Sequence, residues 1–222
     1  MYGVNLSSAK WRASPPGECL LTGRSVIALG IDPGTLHLGW GLVRSEGNRF
    51  FHLAHGVIDC SSRLDLPARL MRIDEQLGAV IEQYRPAVGA VETLFFHRDA
   101  QAAAKLGHAR GVVLLALARR DVVVSEYAPA RVKRTVAGNG RASKAQVSAM
   151  VRVILGLTAV PPSDAADALA LALTHLRVAP LDAALRVQHP DVLDKLHRAD
   201  AEVRARLQAA LGGRRPSRRR RR

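Results

Sequence analysis

The sequence predicts a mixed α/β fold in which three antiparallel strands are followed by parallel strands and helices. Three short segments of strand-like composition follow one another between residues 25 and 59, with no helical pattern between them. After them, segments with helical spacing alternate with short apolar runs. That alternation is typical of crossover units whose strands run parallel. We therefore expect a mixed sheet flanked by helices.

The first three strands are predicted from apolar runs and turn residues. Residues 25–32 form a short apolar run that Pro33-Gly34 closes, which indicates a buried strand. Residues 39–44 and 51–59 predict two further strands, and the turn residues at 46–48 predict a hairpin between them. Asp32 is the last residue of the first strand.

The rest of the domain predicts helices separated by strands. Residues 66–84 carry an apolar stripe at helical spacing that stops before Pro86. The other predicted helices cover residues 97–120 (with a possible interruption near Gly107 and Gly111), 129–136, 143–155 and 164–177. The other predicted strands cover residues 88–92 and 121–127. The second of the buried apolar strands, 88–92, ends at Glu92.

Length and composition favour one main domain with extensions. With 222 residues, the chain has room for one domain of roughly 150 residues. We expect one folded domain over residues 25–179, a flexible N-terminal extension over 1–24, a helical appendage over 180–211 and a disordered arginine-rich tail over 212–222. The function of the two terminal regions is left open.

Composition also bounds the compartment. No apolar stretch approaches the ~20 residues that cross a membrane, so no membrane partner is expected. Cys19 and Cys60 cannot build a disulfide framework or, alone, a four-ligand zinc site. We therefore expect a cytoplasmic protein.

Positive charge is concentrated in two stretches. The net charge is +14, and residues 214–222 supply seven arginines without an acid. Residues 127–163 contain six Lys and Arg residues and no carboxylate, and this stretch lies inside the predicted domain. Cations gathered on one surface favour a phosphate backbone as partner. The alternative is a solvated basic face without a partner.

Four carboxylates stand out against this basic background. Asp32 and Glu92 end predicted strands, and they would lie at the same end of the sheet if those strands run parallel. Asp164 and Asp167 are three residues apart at the start of a predicted helix, so they share one face of it. Considered alone, Asp164 could be a first-turn acid favoured by the helix dipole.

Acids that converge in this way need cations to offset them. Their hard oxygen ligands suit Mg²⁺ or Mn²⁺ rather than zinc. Two such ions can stabilise both the attacking and the leaving oxygen of a phosphodiester displacement by an activated water. The sequence therefore predicts a metal-dependent phosphodiester hydrolase, with two ions per active site bound by Asp32, Glu92, Asp164 and Asp167.

Five motifs, in order, resemble those of the RuvC family of Holliday-junction resolvases. They lie at residues 30–34 (GIDPG), 91–96 (VETLFF), 105–111 (KLGHARG), 127–133 (YAPARVK) and 164–170 (DAADALA). The resemblance covers roughly residues 26–177. It implies a ribonuclease-H-like fold, a homodimer, and paired nicking of opposed strands of a four-way DNA junction in recombination and repair. It also implies cooperation with a branch-migration complex of the RuvA and RuvB type.

The resemblance assigns roles to single residues. Asp32, Glu92, Asp164 and Asp167 match the family's metal-binding catalytic acids, although some members have His at the position of Asp164. Lys133 matches a catalytic basic residue near the scissile phosphate.

Other residues are candidates for contact with DNA. Phe95 matches an aromatic residue used against junction bases, and Lys144 matches a residue that contacts the backbone. The full set of candidate DNA contacts is Phe95, Phe96, Arg98, Lys105, Arg110, Arg131, Lys133, Arg141 and Lys144. Two alternatives stay open: a nuclease of the same fold that acts on structured RNA, and a junction-binding protein without catalysis.

Overall fold

A mixed five-stranded sheet forms the centre of the molecule. The computed structural model describes residues 25–93 and 100–188, and the side chains of residues 25–93 and 103–180. The strands are β1 (Val26–Asp32), β2 (His37–Glu46), β3 (Arg49–Asp59), β4 (Val88–Glu92) and β5 (Val123–Tyr127), in the sheet order β3-β2-β1-β4-β5. β1, β2 and β3 pair antiparallel, whereas β4 pairs parallel with both β1 and β5. The predicted arrangement of antiparallel and then parallel strands is confirmed.

Five helices accompany the sheet among the described residues. They are α1 (Leu66–Tyr84), α2 (Ala100–Ala118), α3 (Pro129–Ala137), α4 (Lys144–Leu155) and α5 (Ser163–Gln188). The bounds of α1 and β4 agree with the predicted ones. None of these helices is both long enough and apolar enough to cross a membrane.

Local sequence explains where several helices begin and end. The side chain of Asp65 accepts a hydrogen bond from the Ala68 backbone at the start of α1, which ends at Arg85 in the left-handed conformation. Ser143 and Gln146 form a reciprocal capping box at the start of α4. Gly138 and Gly156 end α3 and α4 with positive φ angles, which glycine adopts without strain.

α2 and α5 differ from the expectations for them. α2 runs through Gly107 and Gly111 without the expected interruption. The cost of each glycine, about 1 kcal/mol, is offset because Ala109, Val113 and Leu117 of the same helix are fully buried. α5 continues beyond the expected end at residue 177 to Gln188, with Pro180 inside the helix.

The main hydrophobic core lies between the sheet and helices α1 and α2. Side chains from alternate positions of β1 and β2, such as Leu29 and Leu42, pack against Ile73 and Leu77 of α1. α5 covers the opposite face, where its residues 165–173 are almost entirely buried. By its contacts, the chain divides into two compact units, residues 1–176 and 177–222. The sheet and the carboxylate cluster belong to the first unit.

Candidate active site

Asp32 and Glu92 end two neighbouring parallel strands. The register pairs Ile31 of β1 with Val91 of β4, so the next residue on each strand is a carboxylate. Residues at matching positions of parallel strands point to the same face of the sheet. The predicted placement of Asp32 and Glu92 at the same end of the sheet is therefore found in the structure.

Glycines on β1 and β2 bring α5 close to the sheet. A β-carbon at Gly30 would lie 1.8 Å from the carbonyl oxygen of Ala168, and one at Gly39 would lie 2.0 Å from that of Asp164. At Gly41, it would lie 2.6 Å from the side chain of Leu169. These glycines, which we call the glycine cradle, let the helix backbone rest directly on the strands. The glycine cradle therefore fixes the distance between the start of α5, which carries Asp164 and Asp167, and the strand that carries Asp32.

A pocket of about 220 Å³ collects most of the predicted catalytic groups. Its polar lining residues are Asp32, Glu92, Lys133, Lys144 and Asp167, and its apolar walls are Pro129, Val132, Val147 and Leu171. Asp164 lies one helical turn before Asp167 and is not part of the lining, but its charge acts on Asp32. The structure thus brings together three of the four predicted acids around one pocket, and the fourth is near enough for its charge to act on Asp32.

The acids repel one another. The pKa of Asp32 is raised from 3.8 to about 7, first by burial and then by the negative charges of Asp167, Glu92 and Asp164. Lys144 acts in the opposite direction on Asp32. The hydrogen bond from Lys144 to Asp167, at 2.9 Å, raises the pKa of the lysine in turn. The cluster therefore favours additional positive charge.

These donors match a hard divalent cation in their chemistry. The acidic side chains that line the pocket are all carboxylates, whose oxygens Mg²⁺ and Mn²⁺ prefer as ligands. A bound ion would relieve the repulsion among these carboxylates. Among the described residues, no three acidic, imidazole or thiol groups are already close enough to hold one ion together. Small movements of the carboxylate side chains would have to accompany binding.

The predicted DNA contacts fall in several places. Phe95, Phe96 and Arg98 lie outside the described residues. Lys105 is exposed on α2, and Arg141 is exposed in the turn before α4. Arg131 is exposed on α3, and its guanidinium carbon lies 5.9 Å from the centre of the Tyr127 ring. Lys133 and Lys144 line the carboxylate pocket.

Arg110 does not have the placement expected of a DNA contact. Its side chain is only 9% exposed, and its guanidinium donates to the backbone carbonyl of Glu92 and pairs with Glu126. A guanidinium that is buried and paired in this way is directed into the protein rather than toward a ligand. The predicted contact of Arg110 with DNA stays a prediction, and in the structure the residue connects α2 to the strand that carries Glu92.

The sequence did not predict a second cavity, which is lined by basic residues, or a hydrogen bond between a tyrosine and a histidine. A cavity of about 590 Å³ is lined by Arg134 and Arg141 together with the turn after α3. The signal for Arg134 was its spacing of three residues from Arg131 on a helix.

The hydroxyl of Tyr127, at the end of β5, lies 2.8 Å from Nδ1 of His175 on α5. Nothing in the local sequence pairs these two residues, which are 48 positions apart.

Comparison with known proteins gives the family. The family "Crossover junction endodeoxyribonuclease RuvC" matches residues 28–175. The RuvC crossover junction endodeoxyribonuclease of Sorangium cellulosum is 59% identical over 157 residues, which are 71% of this chain and 88% of that protein. The corresponding protein of Rubrobacter xylanophilus is 46% identical over 165 residues, 74% of this chain and 92% of that protein.

Solved structures give the same result. T. thermophilus RuvC in complex with a Holliday junction substrate is 42% identical, with a TM-score of 0.67 over 70% of this chain and 96% of that one. The yeast mitochondrial Holliday junction resolvase Ydc2, at 15% identity and a TM-score of 0.50, shares the fold over 68% of this chain and 77% of its own. The expected ribonuclease-H-like fold is confirmed. The motifs, the sheet order and these matches together show that the chain belongs to the RuvC family of crossover junction endodeoxyribonucleases.

Proposed function

We propose that this chain resolves four-way DNA junctions by paired, symmetric nicks in recombination and DNA repair. The observation that carries the proposal is the carboxylate pocket: Asp32, Glu92 and Asp167 line it together with Lys133 and Lys144. Acids alone would repel a phosphate. Together with bound cations and the two lysines, the same acids form a site that can bind a phosphate. Membership of the RuvC family supports the same activity, and a relative has been solved with a Holliday junction substrate.

Asp32, Glu92 and Asp167 would hold the metal, and Asp164 would act as a further ligand or as a proton handler. Mg²⁺ or Mn²⁺, as two ions per active site, would supply Lewis-acid stabilisation of the oxygens at the scissile phosphate. The rigid ends of β1 and β4 fix two of these acids, and the glycine cradle fixes the helix that carries the others.

Lys133 and Lys144 would stabilise negative charge at the phosphate. Both line the pocket, so a phosphate that enters it meets two ammonium groups as charge develops on its oxygens. Lys105, Arg131 and Arg141 are exposed and would contact the backbone of the junction arms. Phe95 would stack on junction bases, and Phe96 and Arg98 would add further contacts to the DNA. Arg131 and Arg141 belong to the acid-free stretch 127–163.

Paired nicks require two pockets. The described part of each chain has one cluster of this kind, and the two strands cut in a junction lie on opposite sides of its centre. We therefore propose a homodimer that presents one pocket to each strand. A branch-migration complex of the RuvA and RuvB type would be its partner in the cytoplasm.

The test compares nicking of a labelled mobile four-way DNA junction with cleavage of a structured RNA, in Mg²⁺ and in Mn²⁺. We expect symmetric nicks in the junction, and we expect Asp32→Asn and Asp167→Asn to bind the junction without cutting it. Asp59→Asn is the matched control, because Asp59 is an exposed acid that ends β3 at the same end of the sheet. Faster cleavage of RNA, or nicking that persists in Asp32→Asn, would contradict the proposal.

A further inference from the structure

We propose that Arg110 is a positioning residue for Glu92, and that it sets how tightly the pocket holds its divalent cation. This inference rests on the function proposed above. It concerns a residue that touches neither the pocket nor an expected ligand atom. Arg110 acts instead on the backbone of the strand end from which the Glu92 carboxylate projects.

One guanidinium joins two strand ends to a helix. Arg110 belongs to α2, and its Nη1 donates to the carbonyl oxygen of Glu92 at the end of β4. Its Nη2 lies 2.7 Å from Oε1 of Glu126, a residue of β5. The two acceptors lie on neighbouring strands, because the register pairs Val91 with Glu126 and Glu92 with Tyr127. The planar fork of arginine suits two acceptors at a fixed separation.

Burial makes this arrangement sensitive to change. The Arg110 side chain is 9% exposed, whereas that of Glu126 is 48% exposed. A buried cation is tolerated only while its partners satisfy it. Just beyond the fork, the backbone N–H of Thr93 donates to the carbonyl of Tyr127 at 2.9 Å and continues the β4–β5 pairing.

The two strands that Arg110 joins each lead to a part of the site. β4 carries Glu92 itself. β5 ends at Tyr127 and continues directly into α3, which carries Lys133. Arg110 therefore couples the position of a metal-binding acid to that of a lysine in the same pocket. Groups that orient metal ligands in this way typically affect metal affinity or activity by about 10- to 100-fold when they are changed.

The experiment uses the full-length protein with Arg110→Lys as the main variant. Lysine keeps the positive charge but lacks the fork, so it cannot hold both acceptors in the same geometry. Glu126→Gln removes the charge of the exposed partner and leaves Arg110 in place. Arg119→Lys is the matched control, because Arg119 follows α2, is largely exposed and pairs with Asp74 at 3.4 Å.

Three quantities separate positioning from folding. The first is the Mn²⁺ concentration that half-saturates the increase in Tm. The second is the Mn²⁺ concentration that half-saturates single-turnover nicking of the junction. The third is the affinity for the junction in EDTA. For Arg110→Lys, we expect both half-saturating concentrations to rise about 10- to 100-fold, with junction affinity in EDTA within about threefold of wild type. Glu126→Gln should raise the two half-saturating Mn²⁺ concentrations by a smaller factor. Arg119→Lys should leave both concentrations unchanged.

The inference is overturned if Arg110→Lys lowers the Tm but keeps the wild-type Mn²⁺ dependence, since the arginine would then serve only the fold. If Arg110→Lys does not fold, Glu126→Gln decides: an unchanged Mn²⁺ dependence there also overturns the inference. Failure of the proposed function looks different, because wild-type protein would then leave the junction uncut. The Mn²⁺ dependence of Tm would still report on Arg110 in that case.

Discussion

The ammonium nitrogen of Lys144 lies 2.9 Å from Oδ2 of Asp167, so the first residue of α4 places a cation against a carboxylate of α5. The same ammonium lowers the pKa of Asp32, against the effect of burial and of the neighbouring acids. Lys144 thus offsets part of the negative charge that the pocket concentrates. In the proposed reaction, it would stand beside both the acids and the phosphate.

We expect Lys144→Gln to reduce single-turnover nicking by at least about 10-fold, because a charge near the reacting phosphate is lost. Junction affinity in EDTA should fall much less. Arg152→Gln is the matched control, since it removes an exposed positive charge from the last turn of the same helix. Equal loss of activity in both variants would show that only the general charge of α4 matters.

The raised pKa of Asp32 predicts how stability depends on pH without divalent cations. Between pH 3.8 and about 7, the folded chain keeps a proton that the unfolded chain has released. The free energy of unfolding should therefore fall as pH rises through this window, by about 2 to 4 kcal/mol. Urea unfolding in EDTA at pH 4.5 to 8 measures this decline relative to Asp32→Asn, in which this contribution is absent. Parallel curves for the two proteins would contradict the assignment.

Divalent cations should reverse this loss of stability. An ion that binds only the folded chain adds about 2.7 kcal/mol at a free concentration of 100 times its Kd. We therefore expect Mn²⁺ to raise the Tm of the wild type at pH 8 and to have little effect on Asp32→Asn. Asp59→Asn, the acid variant at the edge of the sheet, should respond like the wild type. A Tm increase of equal size in Asp32→Asn would place the ion elsewhere.

The glycine cradle predicts a large effect from one methyl group. Gly30→Ala would place a carbon 1.8 Å from the Ala168 carbonyl oxygen, so α5 would have to move. We expect a loss of about 3 kcal/mol in the free energy of unfolding and, in the protein that remains folded, about 100-fold slower nicking. Gly107→Ala is the control, because a β-carbon at this position of α2 would meet none of the described residues beyond its own helical turn within 4 Å. This variant should be more stable by about 0.5 to 1 kcal/mol.

The pair of Tyr127 and His175 predicts a smaller effect. Tyr127→Phe removes a hydroxyl that bonds Nδ1 of His175 at 2.8 Å in a buried position. We expect a cost of about 1 to 2 kcal/mol, measured by urea unfolding. Tyr84→Phe is the control, because the Tyr84 ring packs on the core without a hydrogen bond to the described residues. A similar cost in both variants would mean that the bond contributes nothing of its own.

The sequence was most informative where local signals coincide. α1 was predicted at its observed bounds because an apolar stripe and the stop before Pro86 agree, and the structure adds the Asp65 cap at its start. The strand-terminal positions of Asp32 and Glu92 followed from short apolar runs. Their placement at the same end of the sheet followed from the expectation that the two strands run parallel, and the strands do run parallel.

Other features depend on contacts between distant parts of the chain. The glycines at 107 and 111 suggested an interruption of α2, but the packing of that helix on the core prevails. Arg110 looked like a surface cation because its partners lie on two strands that local sequence cannot place beside it. The alanines around Asp167 favoured a close approach of α5 to the sheet, but the sequence did not identify Gly30 as a residue on which the helix rests.

The glycine cradle has a consequence for how substitutions distribute over this protein. Gly30, Gly39 and Gly41 contribute no functional group, yet any larger residue there separates the two layers that hold the acids. A saturation mutagenesis map scored by activity would therefore mark these three glycines as intolerant as the carboxylates. In such a map, glycines whose only side-chain atom is hydrogen would be indistinguishable from the acids proposed to bind the metal.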